Sequence, residues 1–472
     1  MTKKSKRLGL RIAATLILIL VISAVLLFVI YRPDRAIRVG TASVSQLFCQ
    51  EVFIAGLNPQ RVYNEEVRPN TALRPLLKRL HYEIIPQKRQ VITSWAGHFS
   101  SVSHYRKGYG CLVHAVTTSV DTTTIDGHIA SLETSHTAAD QATAPIPPSS
   151  PALRAALDRA FAEPAKPPYR RVRAIVVMHN GKIVAEKYAP RIGPDTPLLG
   201  YSVSKSVMNA LVGILVQEGK LRVNARAPVA AWNNPDDPRH AITLNELLRM
   251  TSGLNLTEDR SGFDPVSRML FLHYDDMAAY AEQASLKARP GSTWEYTSGN
   301  TIIVSSIVRK AVGGTAAEVQ RFAQDKLFDP LGMRHVTIEL DGAGTPVGSS
   351  WMLASARDWA RFGQLYLDDG VVHGKRILPK GWVRYSTTPT LDSDYGAGFW
   401  VNAGNAPNAR WRVKHGMPAD TFFASGLYGQ RIVIVPSHDL VIVRFGATID
   451  PPDFDIRGLV RLTADVIAAK RS

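Results

Sequence analysis

Hydrophobic and polar positions follow different periods in different parts of the chain, and those periods predict its elements. Residues 12–31 are twenty consecutive positions without a charged side chain. A helix of that length spans about 30 Å, the thickness of the hydrocarbon core of a bilayer. Apolar residues recur at helical spacing in a second group of segments, namely 204–217, 243–250, 300–312, 316–327 and 356–367. The pattern therefore predicts one membrane-spanning helix followed by a region rich in helices.

Strand-like runs flank these helical segments on both sides. Residues 173–179 and 182–188 have strand character and are separated by an Asn-Gly dipeptide, a hairpin turn signal. Residues 431–435 and 440–445 form a second pair near the end of the chain. Because strands come first and last with many helices between them, we expect an α/β (α+β) fold. It would have one antiparallel sheet flanked by helices, plus an all-helical lobe.

Composition divides the chain into three predicted parts. Residues 1–35 would form a cytoplasmic tail and a transmembrane anchor. Residues 36–152 would form an N-terminal extracytoplasmic segment that ends in a Pro/Ser/Thr-rich linker, since no Lys or Arg occurs between Gly108 and Leu153. Residues 153–472 would form the main domain.

The charges around the apolar run predict its orientation in the membrane. Five Lys or Arg residues precede it and three follow closely, so the N-terminus should stay in the cytoplasm and the rest should face outward. A cleaved signal peptide is the alternative, but its apolar region is usually shorter, and no small-x-small cleavage site follows Tyr31. We therefore expect a single-pass protein of a bacterial inner membrane, with its main domain in the periplasm.

Composition also excludes several functional classes. The formal net charge is +16, but the part of the chain after the apolar run has no dense Lys/Arg run with interleaved aromatic residues, so we expect no nucleic-acid partner. No metal-ligand spacing and no phosphate-binding glycine loop occurs, so we expect no metal and no cofactor. Two cysteines exclude a disulfide-dense scaffold. Outside the cytoplasm Cys49 and Cys111 would form one disulfide, and two buried free thiols are the alternative.

A candidate nucleophile lies at the start of the first helical segment. Ser202 and Lys205 form an S-x-x-K motif, and the apolar positions after them recur at helical spacing. The lysine therefore lies one turn after the serine on the same face. A serine hydroxyl needs an adjacent base, and a lysine can serve where burial or a helix N-terminus disfavours its ammonium form. The alternative is a helix-capping serine followed by a surface lysine.

Four further segments resemble one family, in the order that family has them. The segments are ITLNELLRMTSGL (242–254), PGSTWEYTSGN (290–300), LFDPLGM (327–333) and GLYGQ (426–430). Through them the chain resembles serine β-lactamase-related hydrolases, which include class C β-lactamases and penicillin-binding-protein-like enzymes, and within them the 6-aminohexanoate-dimer-hydrolase-like branch. The resemblance covers about 170–450 and implies the β-lactamase/transpeptidase-like fold.

The resemblance also implies roles for individual residues. Ser202 would be acylated, Lys205 would be its proton partner, and Tyr296, in the place of the tyrosine of the family's Y-x-N motif, would pass the proton to the leaving group. The backbone N–H groups of Ser202 and of Leu427, which follows Gly426, would stabilise the oxyanion.

Two departures from the family pattern bear on the substrate. Ser298 stands where the Y-x-N motif has asparagine, and a hydroxyl can still hydrogen-bond the lysine. The Lys-Thr-Gly motif near the last strands is absent, so the cation that would attract a substrate carboxylate is missing unless Lys414 or His415 replaces it. Both departures favour linear esters or amides over β-lactams.

We therefore expect a membrane-anchored periplasmic serine hydrolase that cleaves small ester or amide bonds through an acyl-enzyme on Ser202. Its partners would be a small-molecule ester, amide or peptide substrate and the inner membrane. One alternative is a D,D-peptidase or β-lactamase acting on cell-wall peptides or β-lactams. Another is a penicillin-binding-like sensor or binding module that is acylated without turnover.

Overall fold

The computed structural model describes most of the chain, and the described residues are 12, 14–20, 22–23, 32–115, 144–451 and 454–471. Within these residues no helix is both long and apolar enough to cross a bilayer. Part of the predicted anchor at 12–31 lies outside the described residues. All of residues 116–143 of the predicted linker lie outside them as well.

The described residues form fifteen strands in four sheets, all with antiparallel pairing. They are β1 (Leu80–Ile85), β2 (Gln90–Trp95), β3 (His98–Arg106), β4 (Gly110–Ala115), β5 (Val172–His179), β6 (Lys182–Tyr188), β7 (Leu198–Leu199), β8 (Val336–Ile338), β9 (Met352–Ala354), β10 (Val371–Val372), β11 (Lys375–Arg376), β12 (Trp400–Val401), β13 (Phe422–Gly426), β14 (Gln430–Val435) and β15 (Leu440–Gly446).

Fourteen α-helices complete the described part from Arg32 onward. They are α1 (Pro33–Cys49), α2 (Pro59–Val62), α3 (Pro151–Phe161), α4 (Ser204–Gln217), α5 (Leu244–Leu248), α6 (Pro265–Leu272), α7 (Met277–Glu282), α8 (Ser298–Ala311), α9 (Ala316–Ala323), α10 (Asp329–Leu331), α11 (Ala356–Leu367), α12 (Trp382–Thr387), α13 (Pro407–Lys414) and α14 (Ile456–Arg471). Short π-helical turns at Gln50–Ile54, Tyr63–Val67 and Gln324–Phe328 prolong α1, α2 and α9.

The main sheet has six strands in the order β12-β13-β14-β15-β5-β6. The last strand of the chain, β15, pairs with the first strand of the main domain, β5, so both ends of the domain close one antiparallel sheet. Helices α5, α7 and α9 pack around α8 beside this sheet and form the helical lobe. The predicted α/β architecture with an antiparallel sheet and flanking helices is confirmed.

The two faces of the sheet bury different helices. Along β15, Leu440 and Ile442 point to a core that includes α3 and α14, while Val441 and Val443 point to the core that holds α4 and α11. Side chains alternate between faces along a strand, so an apolar run that is buried on both faces reads as a continuous stretch of Val, Ile and Leu. That is why the short closing strands were recognisable in the sequence.

The N-terminal segment forms a four-stranded sheet with one helix packed against it. Strands β1–β4 form a sheet in sequence order, and α1 lies against β2 and β3. Buried hydroxyls fasten the helix to the sheet: Thr93 donates to the carbonyl of Thr41 at 2.6 Å, and Ser45 donates to the carbonyl of Val91 at 2.8 Å. The sequence analysis assigned no elements here, because the side chains of β1 are at most half-buried and give a weak pattern.

The N-terminal segment is fixed to the main domain by buried polar contacts. The carboxylate of Glu339, just after β8, accepts hydrogen bonds from the side chains of Gln46 at 2.9 Å and Gln50 at 2.5 Å, and from the backbone N–H of Cys111 at 2.7 Å. The structure joins Cys111 to Cys49 in a disulfide, so α1 is also tied to β4. Residues of both parts contribute to one continuous hydrophobic core.

A buried ion cluster makes the second connection. Arg173 of β5 forms ion pairs with Glu51, at 3.1 Å, and with Glu66, and each of the three side chains is at most 5% exposed. Burial, with the charge of Glu66 next, raises the pKa of Glu51 to about 7, while Arg173 acts in the opposite direction. The two carboxylates belong to the N-terminal segment and the guanidinium to the main sheet, so the cluster holds the two together.

Candidate active site

A strained turn presents Ser202 between β7 and α4. Tyr201–Val203 form a single 3-10 turn, so Ser202 precedes α4 by two residues instead of opening it. Tyr201 has a φ of 47°, in the left-handed region that residues other than glycine rarely adopt. A Cβ on the preceding Gly200 would lie 2.8 Å from the ring of Trp359, so the turn is packed tightly from behind. Strain of this kind is typical of functional positions.

The amine of Lys205 lies at the centre of a buried hydrogen-bond cluster. Its Nζ donates to Ser202 Oγ at 3.1 Å, to Ser298 Oγ at 3.0 Å and to the carbonyl oxygen of Ser349 at 2.9 Å. The lysine is 3% exposed. The structure thus brings Ser202, Lys205 and Ser298 together as predicted, with the serine and the lysine within direct proton-transfer distance.

The environment of Lys205 disfavours its charge. Burial lowers the pKa of Lys205 to about 8, and the negative charge of Glu258 opposes this shift. A pKa near 8 leaves about one lysine in ten neutral at pH 7. The neutral amine can accept a proton from the serine hydroxyl, which satisfies the requirement for an adjacent base.

Tyr296 packs on the same cluster through its ring. Lys205 Nζ lies 4.8 Å from the centre of the Tyr296 ring, which is held between the rings of Tyr395 and Trp400. Burial raises the pKa of Tyr296 well above its ordinary value, and a hydrogen bond with Ser202 acts in the opposite direction. The phenol is therefore protonated, and the structure does not favour an ionised tyrosine. Tyr296 can share or donate a proton.

Ser298 is held by the start of α8. Thr297 caps this helix by accepting a hydrogen bond from the backbone N–H of Gly299 at 3.1 Å. The N–H of Ser298 donates to the Glu258 carboxylate at 2.6 Å. This carboxylate therefore both fixes the backbone of Ser298 and supplies the negative charge felt by Lys205.

The predicted oxyanion residues lie where β13 ends beside the turn of Ser202. A Cβ on Gly426 would lie 2.1 Å from the carbonyl oxygen of Gly200, so only glycine allows this approach. Leu427 follows it and, like Ser202, lines the cavity described below. The next residue, Tyr428, packs edge-on against Tyr201 with ring centres 5.3 Å apart.

His415 and Lys414 lie away from this cluster. Both are exposed at the end of α13, and neither lines the cavity. The His415 ring stacks on Trp411, and its Nδ1 is 2.7 Å from the Trp411 carbonyl oxygen. The structure therefore does not bring either residue to the cavity beside Ser202. The reason is that α13 turns this end of the loop toward solvent before β13 begins.

A cavity of about 680 Å³ opens in front of Ser202. One side of it carries Ser202, Tyr296, Leu427 and other residues of the main domain. The opposite side is formed by lining residues between 36 and 76, which we call the N-terminal wall. Within the described residues no cluster of His, Cys, Asp or Glu could hold a metal ion.

The charged residues of the cavity were not predicted from the sequence. Four acidic residues line it, Glu66, Glu258, Asp259 and Asp450, against one basic residue, Arg260, in the part of the chain that the structure describes. These residues belong to separate segments and to no motif. No local signal identifies them, because only the fold brings them together.

The sequence of the chain matches one family model and several known proteins. The family described as beta-lactamase matches residues 157–464. The 6-aminohexanoate-dimer hydrolase of Paenarthrobacter ureafaciens is 27% identical over 307 residues, which are 61% of this chain and 75% of that protein.

Two solved structures show the same fold. A penicillin-binding-protein homologue from Caulobacter crescentus superposes with a TM-score of 0.53 at 19% identity, covering 69% of this chain and 99% of that one. A family VIII carboxylesterase superposes with a TM-score of 0.51 at 16% identity, covering 69% and 98%.

The fold and the Ser202–Lys205 pair define a serine hydrolase. The chain belongs to the beta-lactamase family. It is an enzyme of the hydrolase class, as its relative from Paenarthrobacter ureafaciens is.

Proposed function

We propose that the protein hydrolyses esters or amides through an acyl-enzyme on Ser202. The observation that carries this proposal is the contact between Ser202 Oγ and a buried lysine whose pKa is lowered to about 8. Hydrolysis of this kind needs a nucleophile, a base, an oxyanion site and an acid for the leaving group. Ser202, Lys205, the N–H groups of Ser202 and Leu427, and Tyr296 supply these functions.

The proposed reaction has an acylation stage and a hydrolysis stage. Ser202 Oγ bonds to the substrate carbonyl carbon while the neutral Lys205 amine accepts its proton, and the two N–H groups donate to the oxyanion. The bond to the leaving group breaks as the Tyr296 hydroxyl donates a proton to it, and Lys205 returns a proton to Tyr296. Water then attacks the acyl carbon, Lys205 takes a proton from that water, and Ser202 recovers its proton as the acid departs.

The charge of the cavity favours esters and amides without a carboxylate. Glu258, Asp259 and Asp450 line it with one arginine, while the fourth acidic residue, Glu66, is paired with Arg173. The remaining excess of negative charge disfavours an anionic substrate. Common β-lactams and D-Ala-D-Ala termini carry a carboxylate, and the lysine of the family's Lys-Thr-Gly motif is absent. Ser298 replaces the amide of the Y-x-N motif as well. A neutral or cationic substrate fits these features better.

The proposed location follows from the sequence and from one structural feature. The apolar run at 12–31 with its basic flanks supports an anchor in a bacterial inner membrane, with the catalytic domain in the periplasm. The Cys49–Cys111 disulfide supports an oxidising compartment. Carbonate extraction of membranes tests the anchor, and release of the protein by carbonate would contradict it. Protease added to spheroplasts tests the periplasmic location, and protection from the protease would contradict that location.

A substrate panel tests the proposed reaction. The purified full chain is assayed with p-nitrophenyl acetate, a small anilide, nitrocefin and a D-Ala-D-Ala peptide. We expect saturable ester or amide turnover and nitrocefin turnover far below about 10 per second, a typical enzyme rate. Nitrocefin turnover at that rate, or cleavage of the peptide, would favour the β-lactamase or D,D-peptidase alternative. Stoichiometric acylation without turnover would favour a binding module.

A further inference from the structure

The N-terminal wall is apolar next to the start of α1. Ala36, Val39 and Gly40 line the cavity from the first two turns of this helix, and Leu73 and Leu76 line it from the segment that follows α2. Facing them, Leu270, Phe271 and Trp351 of the main domain line the same cavity. The cavity therefore joins the catalytic cluster to an apolar trough between two parts of the chain.

The N-terminal wall is packed too tightly to act as a loose lid. A Cβ on Gly40 would lie 2.3 Å from Leu76 Cδ1, so α1 lies directly on the segment beside it. The loop at Gly262 lies against the same helix, since its Cβ would be 3.7 Å from the Ala36 Cβ. The disulfide, the Glu339 contacts and the Arg173 cluster fix this arrangement. A fixed apolar wall selects substrates by shape and hydrophobicity.

The chain path places this wall near the proposed membrane surface. Ala36 is five residues after the end of the apolar run at Tyr31, so even an extended chain separates them by no more than about 18 Å. Phe263, next to Gly262, is 49% exposed. An apolar trough and an exposed aromatic residue this close to a bilayer suit a substrate that is itself partly held in the membrane.

We propose that the N-terminal wall binds the apolar chain of an amphiphilic ester or amide and directs its carbonyl group to Ser202. This inference depends on the proposed function of Ser202. The substrate would have a linear apolar chain of about eight carbons or more and a neutral or cationic polar part. The polar part would face the acidic residues of the cavity, and the chain would lie against the apolar lining residues of the N-terminal wall.

A chain-length profile tests the inference on the full chain in lipid nanodiscs. p-Nitrophenyl esters from acetyl to decanoyl are used below their micelle concentrations. Each buried methylene is worth about fourfold in binding. We expect kcat/KM to rise at least tenfold from the acetyl to the octanoyl ester. A flat or falling profile would overturn the inference and leave the proposed function intact, whereas no Ser202-dependent turnover of any ester would remove both.

A matched pair of variants tests whether the N-terminal wall causes the preference for longer acyl chains. Ala36→Trp places a large ring in the trough and should lower the octanoyl-to-acetyl ratio of kcat/KM at least tenfold. Arg35→Trp adds the same ring one residue earlier, at an exposed position that does not line the cavity, and should leave the ratio unchanged. An unchanged ratio in Ala36→Trp, or equal changes in both variants, would overturn the proposal. If Ala36→Trp does not fold, the wild-type profile alone decides.

Discussion

The two sides of the cavity differ in what holds them together and in what they can do. The side with Ser202, Lys205 and Ser298 is a small polar cluster whose atoms are fixed by hydrogen bonds of about 3 Å. The N-terminal wall is mostly apolar where it faces the trough and is fixed by packing, one disulfide and buried ion pairs. The difference separates two tasks. We propose that the polar cluster determines the reaction and that the N-terminal wall determines which substrate reaches it.

Removing the nucleophile gives the largest expected effect. Ser202→Ala should lower kcat/KM for p-nitrophenyl acetate by about 10³-fold or more, because the acyl-enzyme cannot form. The thermal unfolding temperature should stay close to that of the wild type. Ser437→Ala, in the distant turn between β14 and β15, is the matched control and should retain activity. Equal losses in both variants would contradict the role of Ser202.

Replacing the buried lysine should separate activity from stability. Lys205→Met should lower kcat/KM by about 10²- to 10⁴-fold, the usual contribution of a general base. Because its folded pKa lies below its unfolded value, Lys205 binds its proton less tightly in the folded state and reduces stability below about pH 8. That penalty should fade as the pH rises from about 8 to about 10.4.

Denaturant unfolding of wild type and Lys205→Met at several pH values checks the predicted pH dependence of stability. The variant should be at least as stable as the wild type at pH 7, and it should lack the gain in stability that the wild type shows as pH rises through that window. Lower stability at pH 7 together with full activity would show that the lysine is only structural.

Breaking the buried ion cluster tests the attachment of the N-terminal wall. Arg173→Met leaves Glu51 and Glu66 buried without their cation, and the free energy of unfolding should fall by about 3–5 kcal/mol. Arg159→Met removes a surface pair with Asp465 and should cost less than about 1 kcal/mol. Urea unfolding measures both. Similar small losses would mean that the cluster does not secure the wall.

Removing the disulfide should have a smaller effect on the same side of the cavity. The double variant Cys49→Ser with Cys111→Ser should lose about 2–4 kcal/mol of unfolding free energy, because the unfolded chain is no longer cross-linked over 62 residues. Adding dithiothreitol should destabilise the wild type by a similar amount and leave the variant unchanged. A variant as stable as the oxidised wild type would show that the other contacts suffice.

The smallest expected change is a shift in pH dependence. Deprotonated Lys205 is the proposed base, so kcat/KM should rise with pH through an apparent pKa of about 8. Glu258→Gln removes the charge that raises the pKa of Lys205 while keeping an oxygen for the N–H of Ser298. The rising limb should therefore move to lower pH, by less than about one unit. No shift, or a shift to higher pH, would contradict the role given to Glu258.

The parts of the molecule also differ in how far the sequence predicts them. The helices at 204–217 and 356–367 and the closing strands have a clear period, and the structure places them with the same or nearly the same bounds. Lys205 follows Ser202 by one turn, so local spacing was enough to bring the two together. The antiparallel sheet followed from the order of the elements.

The features that could not be predicted from the sequence depend on contacts between distant parts of the chain. Glu258 meets Ser298 across 40 residues, and Gln46 meets Glu339 across 293. The N-terminal wall was not predicted because its residues come from α1 and from the segment after α2, and only the fold brings them to the cavity beside Ser202. His415 was misplaced because its distance from Ser202 in space depends on where α13 ends.

Covalent labelling tests the central claim most directly. The full chain and Ser202→Ala are treated with a fluorophosphonate, and their intact masses are measured. One adduct on the wild type, none on the variant, and peptide mapping of the adduct to Ser202 are predicted, because a serine hydroxyl reacts readily only when an adjacent base activates it. Folded wild-type protein without an adduct, or equal labelling of the variant, would contradict the claim that Ser202 is the activated nucleophile.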